Sequence, residues 1–250
     1  MLELNNINKH FGGVKAVDDV SLYFTQGKIS ALIGPNGAGK TTVFNIISGF
    51  IKPDSGEILF KNKPVTNLQA WKVAAAGLGR MFQDNRVFGK QTCLENVLLA
   101  KNGNPGEEPL GAFFYPGRVN AFEAANVIEA KKWLAFVGLA EKSEVAAENL
   151  SYGQQKLLSF ARLMADGREL LLLDEPTAGV NPAMIGQVLD LIKKIVKEAG
   201  KTVIIIEHNM SVILEIADFV YFMDDGRVET FGAPKDVLAD ERVREAYTGL

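Results

Sequence analysis

The stretch that most constrains this chain runs from Gly34 to Thr41 and reads G-P-N-G-A-G-K-T. Two glycines separated by four residues, then a lysine and a hydroxyl residue, form the pattern of a phosphate-binding loop. The apolar run 28–33 before it is typical of a buried strand, and residues 42–48 can open a helix. This order directs backbone N–H groups and the positive end of a helix dipole at one point, where a polyphosphate is stabilised. The alternative, an ordinary glycine-rich turn, is disfavoured by the flanking strand and helix.

Within this loop the residue types have separate tasks. Glycine adopts positive φ without strain and lets phosphate oxygens approach the backbone closely. Lys40 is predicted to reach the β- and γ-phosphates of a nucleotide, and the Thr41 hydroxyl to ligate Mg²⁺.

Composition narrows the class of protein. The 250 residues are 47% hydrophobic and 23% charged, which is ordinary for a soluble globular chain of one large or two small domains. No apolar run approaches the roughly 18 residues that span a bilayer, and the first residues lack the features of a signal peptide, so we expect a cytoplasmic protein. A single cysteine, Cys93, fits a reducing compartment. The net charge of −3 and pI of about 5.6 argue against a broad nucleic-acid surface.

Periodicity predicts an α/β fold. Residues 170–173 and 202–206 are short apolar runs typical of parallel strands buried on both faces, and the segment 182–199 between them is an amphipathic helix with proline at its start. Residues 2–7 and 17–24 alternate in polarity and predict strands on either side of a glycine turn. Further predicted strands are 57–60, 78–82, 219–223 and 227–231, and further predicted helices are 68–76, 94–100, 121–137 and 155–165.

The middle of the chain changes character. It is mostly helical and interrupts the alternating pattern, so we expect a nucleotide-binding core from residues 1–93 and 168–250 and a helical subdomain from 94–167. The predicted fold is therefore an α/β phosphate-loop core with a mainly parallel sheet, an N-terminal antiparallel β subdomain and an inserted helical subdomain.

Two acidic residues follow the apolar run of leucines. Asp174 closes that strand, where an acidic group can hold Mg²⁺ through water. Glu175 comes next, and because successive strand residues face opposite ways, one of the pair can face the ion and the other an attacking water. We take Glu175 as the general base for that water. Two merely solvated carboxylates are not expected directly after four leucines.

Two further side chains are candidates for nucleotide contacts. His208 ends the next predicted strand, at the same edge of the sheet. A lone histidine is more often structural than catalytic, but here we favour a hydrogen bond to the γ-phosphate or to the attacking water. Phe11 precedes the Gly12-Gly13 turn, where core packing and stacking on a nucleotide base are both open interpretations.

The run L-S-Y-G-Q-Q, residues 150–155, precedes a predicted helix. Ser151 can cap that helix, and its hydroxyl with the Gly153 amide would form a second phosphate-binding helix N-terminus. Together with Gln83, Asp174-Glu175 and His208, this run resembles the ATP-binding cassette ATPases, whose signature is usually L-S-G-G-Q. The resemblance covers essentially the whole chain. It implies that two chains hold two ATP molecules head to tail, each between the phosphate loop of one chain and the signature of the other.

The resemblance implies ATP and Mg²⁺ as cofactors and a role for each matching residue. Glu175 would be the catalytic base and His208 the switch histidine. The ATP contacts would be Phe11, Gly34, Pro35, Asn36, Gly37, Ala38, Gly39, Lys40, Thr41, Thr42 and Gln83; the metal contacts Thr41, Gln83 and Asp174; and the signature acting in trans Ser151, Gly153 and Gln154.

Two positions depart from the family pattern. Tyr152 replaces the first signature glycine, and we expect the clamp to survive because Ser151 and Gly153 remain. Asn181 stands where the loop after Glu175 usually carries aspartate, so its contact across the dimer would be retained without a charge.

A narrower set of features is similar to the ATP-binding subunits of bacterial branched-chain amino acid importers. They are the F-Q-D-N-R run at Gln83, the long insertion before Phe122, L-S-Y-G-Q-Q, A-G-V-N-P, I-E-H-N-M and the ending R-E-A-Y-T-G. This likeness implies uptake of a hydrophobic amino acid, membrane permease subunits and, indirectly, a solute-binding protein as partners, and a position on the inner face of the membrane.

Two other classes remain as alternatives. A cassette ATPase that acts on DNA or ribosomes usually carries coiled-coil arms, zinc modules or a second fused cassette, and this sequence shows none of them. A small-molecule kinase with the same phosphate loop would leave L-S-Y-G-Q-Q unexplained.

Overall fold

The computed structural model describes residues 1–84, 86–101 and 116–248. The strands are β1 (Leu2–Phe11), β2 (Val14–Phe24), β3 (Ile29–Ile33), β4 (Ser55–Phe60), β5 (Lys63–Pro64), β6 (Leu78–Met81), β7 (Leu170–Asp174), β8 (Thr202–Ile206), β9 (Phe219–Asp224) and β10 (Arg227–Gly232). The helices are α1 (Lys40–Ile47), α2 (Ala70–Ala75), α3 (Cys93–Leu98), α4 (Pro116–Phe136), α5 (Tyr152–Ala165), α6 (Pro182–Lys197), α7 (Met210–Ile216), α8 (Pro234–Ala239) and α9 (Glu241–Thr248).

The central sheet has six strands in the order β10-β9-β3-β8-β7-β6. All neighbours pair in parallel except β10, which runs antiparallel to β9. Every residue of β3, β7 and β8 is buried, which explains why these strands are continuous apolar runs rather than alternating ones. The predicted α/β class with a mainly parallel sheet is confirmed.

A second sheet, in the order β2-β1-β4-β5, is antiparallel throughout. Leu2 lies opposite Phe24 on one neighbour and Phe60 on the other, and all three side chains are buried. The predicted N-terminal antiparallel subdomain is this sheet. Its first strand extends beyond the predicted residue 7 to Phe11.

The chain forms two compact units. The first contains Met1–Gln83, Glu169–Thr177 and Leu189–Leu250, and the second contains Asp84–Arg168 and Ala178–Val188. In the second unit, α3, α4 and α5 pack through buried side chains that include Val97, Leu134 and Phe160. Residues 178–188 belong to this unit although they follow β7 in the chain, a grouping that the sequence did not indicate.

The parallel strands of the first unit determine where the predicted site residues lie. In a parallel sheet the carboxyl ends of the strands share one edge, where ligands of open α/β sheets bind. Strand β3 leads into Gly34, β6 toward Gln83, β7 into Glu175 and β8 into His208. The predicted polar residues therefore follow strands that end at the same edge.

Leu172 lies at the centre of β7 and is fully buried. Its substitution tests how much the core of this sheet contributes to stability. Leu172→Ala should lower the free energy of unfolding by about 2–5 kcal/mol, because it removes buried methyl groups and leaves a cavity. Leu214→Ala, at a side chain that is 50% exposed, is the matched control and should change it by less than about 1 kcal/mol. Urea denaturation measures both, and equal losses would contradict the assignment of β7 to the core.

Candidate functional site

The phosphate loop joins β3 to α1, and its two outer glycines are required by close backbone contacts. A Cβ atom at Gly34, where φ is 148°, would lie 2.0 Å from the Met223 carbonyl oxygen. A Cβ atom at Gly39, where φ is 94°, would lie 2.3 Å from the Ala16 carbonyl oxygen. No side chain fits at either position, so the loop is held tightly against β2 and β9.

Lys40 is buried at the base of the loop, with 5% of its surface exposed. Its Nζ donates to the carbonyl oxygens of Gly34 at 2.7 Å and Pro35 at 2.8 Å. Burial lowers the pKa of the Lys40 ammonium, while the charges of Glu175 and Asp174 oppose that shift. Lys40 is thus a cation with fixed backbone partners, close to two carboxylates.

Glu175 lies beyond the end of β7 in the left-handed region, with φ of 47°. Its N–H donates to the Ile206 carbonyl oxygen of β8 at 3.0 Å, which supports this uncommon conformation. The alternation argument was therefore wrong for this pair, because Glu175 is not a strand residue. Its direction relative to Asp174 is set by the left-handed turn and not by the pleat.

The Glu175 carboxylate has a partner on each oxygen. Gln83 Nε2 donates to Oε2 at 3.0 Å, and His208 Nε2 lies 2.9 Å from Oε1. In this structure His208 therefore contacts Glu175, and its expected hydrogen bond to the γ-phosphate or the attacking water stays a prediction. Three predicted site residues from three strand ends, β6, β7 and β8, meet at one carboxylate.

Asp174 ends β7 and is mostly buried. Arg80 Nη2 donates to its Oδ2 at 3.0 Å, and among the described residues no protein group bonds its Oδ1. Arg80 is not among the site residues predicted from the sequence. A basic residue inside an otherwise apolar strand was the available signal.

One open cleft brings together eight of the predicted site residues. It is lined by Ala16, Asn36, Gly37, Gly39, Lys40, Thr41, Thr42, Glu175, Ile206 and His208. Gln83 and Asp174 are not part of this lining, although Gln83 contacts Glu175. Phe11 is not part of it either. With 48% of its surface exposed, Phe11 is not a core residue, so the core-packing interpretation is wrong.

Within the second unit, Ser151 begins α5 as predicted. Its Oγ accepts from the Gln154 N–H at 3.3 Å and Gln154 Oε1 accepts from the Ser151 N–H at 3.1 Å, a reciprocal capping box. Gly153 is buried in α5, where a Cβ would lie 2.7 Å from Met184 Sδ. The predicted cap is confirmed.

The loop before α6 packs against the substituted signature residue. A Cβ atom at Gly179, where φ is 71°, would lie 2.9 Å from the Tyr152 ring. Asn181 Oδ1 accepts from the Ala183 N–H at 3.0 Å and so caps the first turn of α6. The Tyr152 ring therefore packs against Gly179 within the second unit.

Two more residues escaped the sequence analysis. Glu207, which is 4% exposed, accepts hydrogen bonds from both the backbone N–H and the hydroxyl of Thr177. It thereby ties the end of β8 to the turn after Glu175. Tyr247 in α9 accepts a hydrogen bond from the buried Gly34 N–H at 2.8 Å, and burial raises the pKa of its phenol.

Two features are absent from the described residues. Outside positions 85, 102–115 and 249–250, no helix is both long and apolar enough to cross a membrane. The same residues contain no cluster of three or more His, Cys, Asp and Glu side chains that could hold a metal ion.

Removing the Tyr247 hydroxyl should lower the stability of the protein while keeping the shape of the side chain. Tyr247→Phe leaves the buried Gly34 N–H without its acceptor, which should cost about 1–3 kcal/mol of unfolding free energy. Tyr23→Phe, at a residue that is 55% exposed, should cost less than about 0.5 kcal/mol. Chemical denaturation compares them, and a neutral Tyr247→Phe would show that the phenol does not support the loop.

Comparison with known proteins agrees with this geometry. The family described as ABC transporter matches residues 17–178. A high-affinity branched-chain amino acid transport ATP-binding protein, LivG of Salmonella typhimurium, is 36% identical over 100% of this chain and 98% of its own length. The crystal structure of a nucleotide-free ATP-binding cassette from an ABC transporter superposes with a TM-score of 0.85 at 35% identity, covering 100% of this chain and 99% of that one.

A third comparison concerns assembly. A dimeric cassette in a post-hydrolysis state, bound to ADP and phosphate, superposes with a TM-score of 0.71 at 25% identity, covering 94% of this chain and 99% of that one. With the phosphate loop, the capped signature helix and the residues gathered at Glu175, these likenesses lead to one conclusion: the chain belongs to the ABC transporter family and is one of its ATP-hydrolysing subunits.

Proposed function

We propose that this chain is the motor subunit of an importer for branched-chain, hydrophobic amino acids, and that it hydrolyses Mg²⁺·ATP as half of a head-to-tail dimer. The observation that carries the proposal is the cleft in which Lys40, Glu175 and His208 lie together at the ends of parallel strands. The substrate class rests on relatives whose names describe branched-chain amino acid transport.

The loop and its lysine account for triphosphate binding. Backbone N–H groups at the start of α1 and the Lys40 ammonium offer positive charge where a polyphosphate would lie. Lys40 is held by two carbonyl oxygens, so little rearrangement is needed when phosphate oxygens replace them. Phe11 is exposed, as stacking on adenine requires.

The donor atoms near the loop fit Mg²⁺. The Thr41 hydroxyl lies in the first turn of α1, Asp174 has Oδ1 without a protein partner among the described residues, and Gln83 has a side-chain amide. Hard oxygen donors of this kind are the ones that Mg²⁺ prefers. When bound, the ion would neutralise charge on the transferred phosphoryl group.

We infer that Glu175 acts as the general base. Glu175 lines the cleft. Gln83 contacts one oxygen of its carboxylate and His208 contacts the other. A carboxylate held in this way can accept a proton from an attacking water, and His208 can stabilise the charge that develops. Because Gln83 and His208 both contact the Glu175 carboxylate, both side chains must shift if Glu175 moves.

The second half of the site would come from another copy or a related chain. Ser151, Gly153 and Gln154 form the N-terminus of α5, where helix-dipole and N–H groups favour an anion. A γ-phosphate bridging this terminus and the phosphate loop of the partner would close the dimer, and its hydrolysis would let the dimer reopen. Asn181 would contribute an uncharged contact across that interface.

The remaining partners follow from the transport role. Membrane permease subunits would receive the motion of the dimer, and a solute-binding protein would deliver the amino acid to them. The chain would then lie on the inner face of the membrane. Nothing in the comparisons favours an action on nucleic acid.

Glu175→Gln tests the general base. The amide keeps the shape of the carboxylate but cannot take a proton, so ATP hydrolysis should fall roughly a hundredfold or more while ATP binding persists. Light scattering should show an ATP-dependent dimer that the parent forms only transiently. Glu198→Gln, at an exposed residue of the same charge, is the control. A Glu175→Gln protein that hydrolyses at the parental rate would refute the role.

Ser151→Asp separates capping from nucleotide binding in trans. Aspartate caps a helix about as well as serine, so the melting temperature should be retained. A carboxylate facing the γ-phosphate should abolish ATP-dependent dimerisation of the Glu175→Gln background. Thr92→Asp, at the capping residue of α3, is the matched control and should still dimerise. Persistent dimers with Ser151→Asp would place the signature outside the nucleotide interface.

A further inference from the structure

Arg80 forms an ion pair that the proposed roles leave unexplained. It lies on β6 opposite Leu172 of β7, and its Nη2 donates to Asp174 Oδ2 at 3.0 Å. Only 6% of the Arg80 side chain and 12% of the Asp174 side chain are exposed. Desolvation of two charges is costly, so such a pair needs additional hydrogen bonds and good geometry to be tolerated.

The other end of the guanidinium reaches the phosphate-loop helix. Arg80 Nη1 donates to Asn45 Oδ1 at 2.7 Å and to Ser48 Oγ at 3.0 Å. Asn45 lies in α1, and Ser48 is its C-terminal cap. One planar group therefore connects the carboxylate at the end of β7 to the helix that begins at Lys40.

Aromatic rings hold this group in place. The Arg80 guanidinium carbon lies 5.7 Å from the Phe44 ring centroid, 5.9 Å from that of Phe50 and 4.8 Å from that of Phe82. Phe50 and Phe82 also pack edge to face at 5.7 Å. Contacts of this kind favour a cation and restrict its rotation.

The position of Asp174 matters because of the charges around it. The Asp174 carboxylate is one of the two that act on Lys40. Arg80 holds Oδ2 and leaves Oδ1 without a protein partner among the described residues. Without Arg80, the carboxylate would be free to turn toward Lys40, which would withdraw both groups from a bound nucleotide and its metal ion.

We propose that Arg80 is a positioning residue for the magnesium site: by bonding Asp174 and α1 together, it fixes the carboxylate relative to Thr41 and Lys40. The inference rests on the proposed binding of Mg²⁺·ATP. Arg80 does not touch the nucleotide in this proposal, since its guanidinium is enclosed by α1, β7 and the aromatic rings.

The test is equilibrium binding of a fluorescent ATP analogue to the full chain, once with excess Mg²⁺ and once with EDTA. Arg80→Met should weaken binding roughly tenfold with Mg²⁺, the size of effect seen when a partner of a metal ligand is removed. With EDTA, binding should stay within roughly twofold of the parent, because the loop and Lys40 remain. A loss confined to the Mg²⁺ condition distinguishes positioning from general damage.

Three variants support the comparison. Arg168→Met removes another partly buried arginine–aspartate pair, with Asp166 at 2.6 Å, and should change neither measurement. Arg80→Lys keeps the charge, but an ammonium cannot bond Asp174 and the α1 residues at the same time. It should therefore bind the analogue with Mg²⁺ more tightly than Arg80→Met but less tightly than the parent. Asn45→Ala removes one acceptor of Arg80 and keeps the ion pair, so it should give a smaller loss in the Mg²⁺ condition alone, even if Arg80→Met fails to fold.

Three outcomes overturn the inference. Equal losses with Mg²⁺ and with EDTA for Arg80→Met and Asn45→Ala would mean that the cluster only supports the fold. Unchanged or tighter binding with Mg²⁺ would mean that Arg80 does not position Asp174 for the metal. A parent protein that binds the analogue equally with Mg²⁺ and EDTA would instead refute the proposed metal site itself, and the role of Arg80 with it.

Discussion

A buried lysine beside two carboxylates is the interaction on which the rest of this site depends. Removing the Lys40 ammonium from water is unfavourable. The carbonyl oxygens of Gly34 and Pro35 accept its hydrogen bonds, and the charges of Asp174 and Glu175 offset part of the cost, although burial still lowers the pKa of Lys40. The surrounding features keep this arrangement in place. Glycines at positions 34 and 39 let the loop reach the backbone of β9 and β2, and Tyr247 satisfies the Gly34 N–H from the far end of the chain.

The carboxylates are held in different ways that suit different tasks. Asp174 is fixed by a cation inside the protein, through Arg80, whereas Glu175 is fixed in the cleft by the uncharged amide of Gln83 and by His208. A charge-assisted bond to arginine fits the proposed role of Asp174 in holding a metal ion. The Glu175 oxygens contact an amide and an imidazole instead, in the cleft where the attacking water is proposed to lie.

The left-handed conformation of Glu175 links the two neighbouring strands. Its N–H donates to the carbonyl oxygen of Ile206, the last residue of β8. Glu207, which follows that strand, accepts hydrogen bonds from Thr177 on the far side of Pro176. The turn after β7 is therefore held at both ends by the end of β8 and the residue that follows it. Strain of this kind persists only where the surroundings determine it, and it is concentrated at functional sites.

The sequence by itself determined the features that depend on residues close together in the chain. Loop spacing predicted Gly34 to Thr41, periodicity predicted the buried strands and the amphipathic α6, and the cap residue predicted the start of the signature helix. Positions at strand ends suggested the roles of Glu175 and His208, family resemblance added Gln83, and the structure brings these three together. Those roles themselves, and the division at residues 94–167, stay predictions.

Only the tertiary structure decided the pairs that join distant parts of the chain. Arg80 and Asp174 are 94 positions apart and Gly34 and Tyr247 are 213 positions apart, so no local pattern connects them. The direction of Glu175 was decided in the same way, because a hydrogen bond from β8, and not the pleat of its own strand, sets its backbone. The physical reason is general: spacing and propensity act over a few residues, whereas burial of a charge is satisfied by whichever partner the fold brings within reach.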